Sequence, residues 1–267
     1  MGILTLISDY GLTDHYVAVV KGAVLAQVPD VKIVDISHNV VRYNVREAGY
    51  LLRSSFNVFP KGTVHLIGVN EIESEKTPHR IVKFDGQYFI GADNGIFTEL
   101  FDDLPEEVWD LTLPSNSTSI SFPMLNRFVP AACFILNGGD LNEIAKPIEA
   151  FNEGERLRPI VDVDGIRGSI IHVDSYGNLI TNVDRKLFDE VFQGKSFMIE
   201  LRSKKKLVNK ISEKFMEVIS GEQLALFNNE GLLMIVVSFG SPEKGEGGGA
   251  QQLLGMSVGS AFSIIFK

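Results

Sequence analysis

Polar residues suited to ligand binding follow three strand-like runs in the first third of the sequence. Asp9 and Asp14 follow the first run, Ser37 and His38 the second, and Asn70 the third. In open α/β sheets, ligands bind beyond the carboxyl ends of the strands, so these side chains converge if the strands are neighbours. A carboxylate accepts two hydrogen bonds in parallel, which suits the two hydroxyls of a diol. The pattern predicts a small-molecule site with Asp9 as a diol acceptor.

Asp14 has a second interpretation, because apolar residues at helical spacing follow it. Asp is a frequent helix N-cap, where its carboxylate accepts a backbone N–H. The spacing alone favours a cap over a ligand-binding role by about two to one.

Two polar clusters lie in the second half of the chain. The segment HVDSYGNLITN at 172–182 contains Asp174 and Asn178, and FNNEG at 227–231 contains Asn229. Asp, Asn and Gly tolerate the backbone conformations of tight turns. On physical grounds alone, both segments are turns between strands.

Several familiar reaction centres are missing from the sequence. The loop after the first run lacks the glycines and lysine of a phosphate loop, and the chain has no Gly-x-Ser-x-Gly. Its one cysteine, Cys133, lies in an apolar run typical of a buried thiol, and its five histidines lack metal-ligand spacing. We expect no metal site, no cofactor and mainly structural histidines. The basic run 204–206 is interpreted as a solvated turn and the glycine-rich segment 245–249 as a mobile loop.

The composition is that of a globular protein with a sizeable core. The chain has 267 residues, of which 45% are hydrophobic, and a net charge of −9. This charge disfavours nucleic acid and anionic membranes as partners, since both need clustered positive charge. With no apolar stretch near the roughly 20 residues of a membrane span and no signal sequence, we expect a cytoplasmic protein.

Strands that alternate with helices predict an α/β domain over residues 1–150 with a mainly parallel sheet. Its predicted strands are 3–8, 31–36, 63–69, 81–84, 88–92 and 107–111, and its predicted helices are 14–27, 44–55 and 130–137. The first two strands are expected to be buried because their runs are apolar. Residues 147–159 are polar, contain two prolines and predict a linker.

The rest of the chain, residues 160–267, predicts a smaller all-β, barrel-like domain. Short strand-like segments separated by glycine turns are typical of an antiparallel sheet or small barrel. The predicted strands are 168–173, 179–183, 196–201, 224–227, 232–237 and 260–266.

Several segments, in order along nearly the whole chain, resemble the S-adenosylmethionine hydroxide adenosyltransferase family, whose relatives include the fluorinases and chlorinases. Each is weak alone, but their order is specific. The matching segments are TLISDYGLTDHYV at 5–17, VDISH at 34–38, FIGADNG at 89–95, HVDSYGNLITN at 172–182, and NNEGLL at 228–233 with FGS at 239–241.

The resemblance implies a homotrimer that binds S-adenosylmethionine or adenosine, with each site between one subunit's N-terminal domain and a neighbour's C-terminal domain. Asp9 would hold the ribose hydroxyls and Asp14 the methionine amine. The remaining implied ligand-binding residues are Tyr43, where related halogenases place an aromatic side chain, Phe122, Asp174 at the methionine end, and Asn178, Phe215 and Asn229 around the methionine and adenine parts.

The chain departs from the family at the residues that activate water. Members that transfer hydroxide carry Asp-Pro-Gly-Val-Gly after the third strand, then an arginine, and later Phe-His-Gly-Arg-Asp. Here Asn70 replaces the acid, Pro123 the histidine and Met124 its small neighbour, while Arg80 aligns with the arginine only across a gap. An amide cannot take a proton at neutral pH. Glu71 or Glu73 is a candidate replacement base.

Two functions therefore remain open. One is attack of water on the 5′ carbon of S-adenosylmethionine, giving adenosine and methionine. The other is a catalytically silent or altered module that binds S-adenosylmethionine or a nucleoside. The halogenase activity is disfavoured, because the serine-bearing halide segment of those relatives has no counterpart here.

Overall fold

The computed structural model describes residues 2–113, 121–201, 208–239 and 249–267. The chain divides into two compact units, Met1–Arg156 and Leu157–Lys267. The basic run 204–206 and residues 245–248 of the glycine-rich segment lie outside the described residues.

The first unit alternates strands and helices in its first half. Its strands are β1 (Ile3–Ser8), β2 (Lys32–Ser37), β3 (Val64–Gly68), β4 (His79–Phe84), β5 (Gln87–Ala92), β6 (Glu107–Leu111) and β7 (Ala145–Ile148). Its α-helices are α1 (Tyr16–Gln27), α2 (Val45–Phe56), α3 (Ile96–Leu100) and α4 (Val129–Leu136), joined by a π-helix over Met124–Phe128 and a 3₁₀ turn at Leu141–Glu143.

The seven strands form one mixed sheet in the order β2-β1-β3-β5-β4-β6-β7. β1, β2, β3 and β5 pair in parallel, whereas β4, β6 and β7 pair antiparallel. The prediction of a mainly parallel sheet is therefore right only for the half that contains β1. The reversal occurs at Asp85-Gly86, where both residues have positive φ, as a two-residue hairpin of type I′ requires.

Alternate residues of the central strands enter two cores on opposite faces of this sheet. Leu66 of β3 packs in a core with residues of α1 and α4, and the next residue, Ile67, packs in a core with residues of α2 and α3. Cys133 of α4 is buried in the first core, as predicted, and burial raises the pKa of its thiol to about 11. This layering holds the carboxyl ends of β1 and β3 side by side.

Two details of this unit differ from the prediction. β2 was expected to be buried, but it is an edge strand, and Val34 and Asp35 on it are exposed. The boundary between the two units, after Arg156, falls within the predicted linker 147–159, but the first part of that segment is folded: Pro147 lies in β7 and the backbone N–H of Asn152 donates to Asp93 at 2.8 Å. An apolar run alone does not distinguish an edge strand from a central one.

The second unit is built on an antiparallel sheet with two helices. Its strands are β8 (Ile160–Asp162), β9 (Gly165–Val173), β10 (Leu179–Asp184), β11 (Phe197–Glu200), β12 (Gln223–Phe227), β13 (Leu232–Val237) and β14 (Ala261–Phe266). The order is β11-β14-β9-β10-β13-β12, with β8 paired to β9. A 3₁₀ turn spans Phe215–Glu217.

The antiparallel sheet agrees broadly with the barrel-like prediction for this unit, which also contains two short helices, α5 (Arg185–Phe192) and α6 (Ala250–Leu254). The sequence does mark the start of α5, although this helix was not predicted. Asp184 is its N-cap, and the Asp184 carboxylate accepts the N–H of Leu187. The longest helices of the described residues, α1 and α2, have 12 residues each, and none of them meets the length and apolarity of a membrane span.

Candidate functional site

The loop after β1 lies against the end of β3. These strands pair in parallel up to Ser8 and Gly68, and the Asp9 N–H continues the pairing by donating to the Gly68 carbonyl at 3.2 Å. A side chain at Gly68 would lie 2.6 Å from both the Tyr10 hydroxyl and the Met124 methyl group. Glycine at this position therefore lets Tyr10 and Met124 meet over the end of β3.

Asp9 and Tyr43, two of the predicted ligand-binding residues, contact each other. The Tyr43 N–H donates to Oδ2 of Asp9 at 2.8 Å, and Tyr43 has a φ of 65°. This bond orients the half-buried Asp9 carboxylate, and its Oδ1 is not used by that contact. Tyr43 is 67% exposed. A carboxylate held in this way can still accept a ligand hydroxyl.

Asp14 is exposed, and its predicted role as the N-cap of α1 is wrong. The helix begins at Tyr16, and the capping position, His15, makes no side-chain hydrogen bond to the helix. The helix starts later than the apolar spacing suggested, which leaves the Asp14 carboxylate outside its first turn.

Aromatic side chains surround the start of α1. The Phe122 ring lies edge-on to Tyr10 and Tyr16, with ring centroids 5.5 and 5.4 Å apart respectively. Tyr10 and Tyr16 are 5.8 Å apart. The half-buried Phe122 thus belongs to a cluster next to Asp9. Tyr10 is not among the residues predicted from the sequence, although its position between Asp9 and Gly11 in the loop is a usable signal.

Ser37 ends β2 and His38 follows it, and the His38 side chain contacts other residues of the protein. Its Nδ1 lies 2.7 Å from Oγ of Ser8, and its Nε2 lies 3.1 Å from Oδ1 of Asp35. Burial opposes ionisation of Asp35, but bonds from Lys21 and His38 prevail and lower the pKa of its carboxyl. The His38 carbonyl also accepts the Gly11 N–H at 2.7 Å. His38 therefore positions the loop that carries Asp9.

The segment 89–95 holds the loop after β3. Asn94 donates its side-chain amide to the carbonyls of Val69 and Asn70, at 3.1 and 2.9 Å. Asn70 has a φ of 48°, a conformation that non-glycine residues seldom adopt. These bonds fix the point where the chain turns away from β3.

Arg80, the candidate for the family's arginine, is paired with two acidic side chains. Its guanidinium pairs with Asp93 at 3.3 Å and with Asp110 at 2.5 Å. Asp93 is buried, and burial raises the pKa of its carboxyl despite the Asn152 N–H and Arg80. Arg80 thus joins β4 to β6 and to residue 152.

Pro123 and Met124 begin the π-helix. Both are buried, and Pro123 offers no acid–base group. Met124 lines a small, mainly apolar void together with Tyr10 and His38. A π-helix is rare and is often found at functional sites.

Glu71 and Glu73 have different surroundings. Glu73 is paired with Arg127, whose Nη2 donates to the Leu111 carbonyl at 2.7 Å. Glu71 is buried, and its burial raises the pKa of the carboxyl to about 7. His79, whose pKa is lowered by burial, donates Nε2–H to the Glu71 carbonyl at 2.9 Å. Glu73 is thus engaged, whereas the Glu71 side chain lies close to Tyr10 and Asp9.

In the second unit, Asp174 and Asn178 form the turn between β9 and β10. The Asp174 carboxylate accepts the N–H groups of Tyr176 and Asn178 and the Asn178 side-chain amide, at 2.8 to 3.0 Å. Asn229 is exposed in the turn before β13, and Phe215 is 51% exposed. The turn interpretation of 172–182 is confirmed, while ligand contacts of these four residues stay predictions.

Among the described residues, no group of three His, Cys, Asp or Glu side chains is arranged to hold a metal ion. The buried His65 is bonded between Thr5, at 2.7 Å, and Gln87, at 2.8 Å, and burial lowers its pKa to about 4. This histidine has the structural role expected of it.

Comparison with known proteins extends these observations over most of the chain. A (R)-S-adenosyl-L-methionine hydrolase of Methanocaldococcus jannaschii is 29% identical over 251 residues, which cover 88% of each chain. A hydrolase of the same name from Thermus thermophilus is 28% identical and covers 97% of this chain and 98% of its own. The crystal structure of an uncharacterized conserved protein from Thermotoga maritima superposes with a TM-score of 0.85 at 26% identity, covering 99% of this chain and 100% of its own.

Family descriptions match both units. The N-terminal domain of SAM hydroxide adenosyltransferases matches residues 4–145, and the C-terminal domain of the same family matches residues 168–263. Together with the segments quoted above, these matches show that the chain belongs to the S-adenosylmethionine hydroxide adenosyltransferase family.

Proposed function

We propose that the protein hydrolyses S-adenosylmethionine: water attacks the 5′ carbon, and adenosine and methionine are released. The observation that carries this proposal is the Asp9 carboxylate, which Tyr43 orients at the carboxyl end of β1 next to exposed aromatic rings. A carboxylate suits the ribose diol, and aromatic faces attract the positively charged sulfonium. The names of the relatives from M. jannaschii and T. thermophilus point to the same reaction.

The reaction suits a site that mainly orients its substrate. A sulfonium is an excellent leaving group, and holding the reactants in line lowers the barrier by several kcal/mol. Asn70 and Pro123, which cannot accept a proton, favour the second candidate, binding without turnover. The two candidates differ in whether adenosine is formed.

The test is to incubate the pure protein with S-adenosylmethionine and to follow adenosine by chromatography. Asp9→Ala is compared with Asp103→Ala, which removes an exposed carboxylate from the loop before β6. We expect adenosine from the wild type and from Asp103→Ala but not from Asp9→Ala. Binding of S-adenosylmethionine without release of adenosine would establish the second candidate, binding without turnover. Absence of binding would refute S-adenosylmethionine as the ligand.

We also propose that the protein is a homotrimer and needs no cofactor. Support for assembly comes from apolar side chains left exposed on α1 and β2, namely Tyr16, Val19 and Val34. Light scattering of the purified protein should give three times the mass of the 29.5 kDa chain. Turnover should be unchanged after treatment with EDTA.

A further inference from the structure

Glu71 places a carboxyl group inside the protein at the end of β3. It directly follows Asn70, whose positive φ turns the chain, and it is only 9% exposed. The Met124 N–H at the start of the π-helix donates to this carboxylate. The side chain is therefore held on the side of the loop where Tyr10 and Asp9 also lie.

One oxygen of this carboxylate has no partner. Oε2 of Glu71 and the Tyr10 hydroxyl are both buried and make no regular hydrogen bond among the described residues, although the phenol lies close enough to lower the pKa of the acid. Burying a polar atom without a partner costs free energy, and such atoms are rare in folded proteins. This carboxylate oxygen, next to Asp9 and Tyr10, is therefore free to accept a proton.

The other acidic side chains described near this loop, Glu73, Asp93 and Asp9, already make hydrogen bonds or ion pairs within the protein. Glu73 pairs with Arg127, and Asp93 binds Arg80 and the Asn152 N–H. Asp9 is oriented by Tyr43 towards its proposed role in binding ribose. Among the described residues at this edge, Glu71 combines a buried, unpaired oxygen with the absence of a bound basic side chain.

We propose that Glu71 accepts the proton of the attacking water, the step for which Asn70 is unsuited. This inference rests on the proposed hydrolysis. The water oxygen forms a bond to the 5′ carbon while the bond from that carbon to sulfur breaks, and its electron pair stays on the sulfur of methionine. One water proton passes to Glu71, which later releases it to solvent, so the cation and water give adenosine, methionine and a proton.

The charges around Glu71 suit this role. Burial raises its pKa to about 7, with Asp9 raising it further and Tyr10 and the Met124 N–H lowering it. His79 contacts only the backbone carbonyl of Glu71. A base with a pKa near the working pH is ionised in a large fraction of molecules and still accepts a proton readily.

The experiment compares Glu71→Gln with Glu75→Gln, an exposed acid in the same loop. Loss of a general base typically lowers the rate about 10²- to 10⁴-fold. We expect that loss in kcat for Glu71→Gln, adenosine binding within a few fold of wild type, and little change for Glu75→Gln. In the wild type, kcat should rise with pH through about 7, and this limb should vanish in Glu71→Gln.

Full turnover of a folded Glu71→Gln with an unchanged pH limb would overturn the assignment while leaving the hydrolysis in place. A wild type that binds S-adenosylmethionine without forming adenosine would overturn both. If Glu71→Gln does not fold, an NMR pH titration of the ¹³C carboxyl signal of Glu71 in the wild type tests whether this side chain lies at the ligand site. Its titration midpoint should move when adenosine binds, and an unmoved midpoint would exclude contact with the ligand site.

Discussion

The Tyr43 backbone N–H and Oδ2 of Asp9 lie 2.8 Å apart, which joins the loop after β2 to the loop after β1. The two residues are 34 positions apart in the chain. They meet because β1 and β2 are parallel neighbours, so both loops leave the same edge of the sheet. This contact orients the carboxylate on which ligand binding is proposed to depend.

Replacing Asp9 by Asn should weaken adenosine binding. An amide keeps the size of the side chain but removes the charge that strengthens a bond to a ribose hydroxyl. Hydrogen bonds to charged groups contribute about 1.5–3 kcal/mol, so we expect Kd to rise roughly 10- to 100-fold. Isothermal titration calorimetry measures this change, with Asp103→Asn as the control. An unchanged Kd for Asp9→Asn would mean that the ribose is bound elsewhere.

Tyr43 allows its backbone and its ring to be tested separately. A non-glycine residue in the left-handed region costs roughly 1–2 kcal/mol, and Tyr43 has a φ of 65°. Both Tyr43→Gly and Tyr43→Ala lack the ring, so they differ only in the backbone cost, and Tyr43→Gly should be the more stable of the two by about 1 kcal/mol. Urea denaturation gives this difference. Both variants should bind S-adenosylmethionine more weakly if the exposed ring contacts the ligand, and wild-type affinity in both would remove Tyr43 from the site.

The sequence is sufficient to predict the first three strands, and the sheet order β2-β1-β3 supplies the condition under which the residues after them converge. Apolar runs followed by Asp9, His38 and Asn70 mark the ends of β1, β2 and β3, although β2 lies at the edge of the sheet and is largely exposed. It was not sufficient for the second half of the sheet. The Asp85-Gly86 dipeptide was a usable hairpin signal, but the alternation of strands and helices favoured a parallel interpretation.

Side-chain roles at the site were harder to predict than strands. For Asp14, spacing favours an N-cap of α1 over a ligand-binding role, and the cap is wrong because a helix start depends on backbone geometry that spacing does not fix. Glu71 and Glu73 were equivalent candidates in the sequence, two positions apart. Only the tertiary structure separates them, because Arg127 reaches Glu73 from the π-helix while Glu71 turns inward to Tyr10.

Gly68→Ala should destabilise the protein and disturb the site. Its methyl group would lie 2.6 Å from the Tyr10 hydroxyl and the Met124 methyl group, so both must move. Overpacking of this kind typically costs about 1–3 kcal/mol. Gly22→Ala is the matched control, since nothing lies within 4 Å of its added carbon in α1. That change should stabilise by about 0.5–1 kcal/mol, because alanine favours the helix. Thermal unfolding of both variants measures the contrast, and equal effects would contradict the close approach at Gly68.

The buried acid also makes stability depend on pH. Burial is the main reason that the pKa of Glu71 rises from 4.5 to about 7 in the folded protein. The folded state then binds the proton more tightly than the unfolded state, so this stabilisation is complete below pH 4.5 and is lost as the pH rises through about 7. The difference amounts to on the order of 3 kcal/mol for a shift of this size.

Glu71→Gln removes that titration and should unfold less readily than the wild type at pH 8, where the wild type must bury a charge. At pH 5, where the wild-type acid is mostly protonated, the advantage should disappear. Glu75→Gln, which removes an exposed carboxylate, should follow the wild type at both values. Urea denaturation at the two pH values measures the differences. A Glu71→Gln curve parallel to the wild type across this range would show that the Glu71 carboxyl titrates normally, and with it the case for a base tuned by burial would fail.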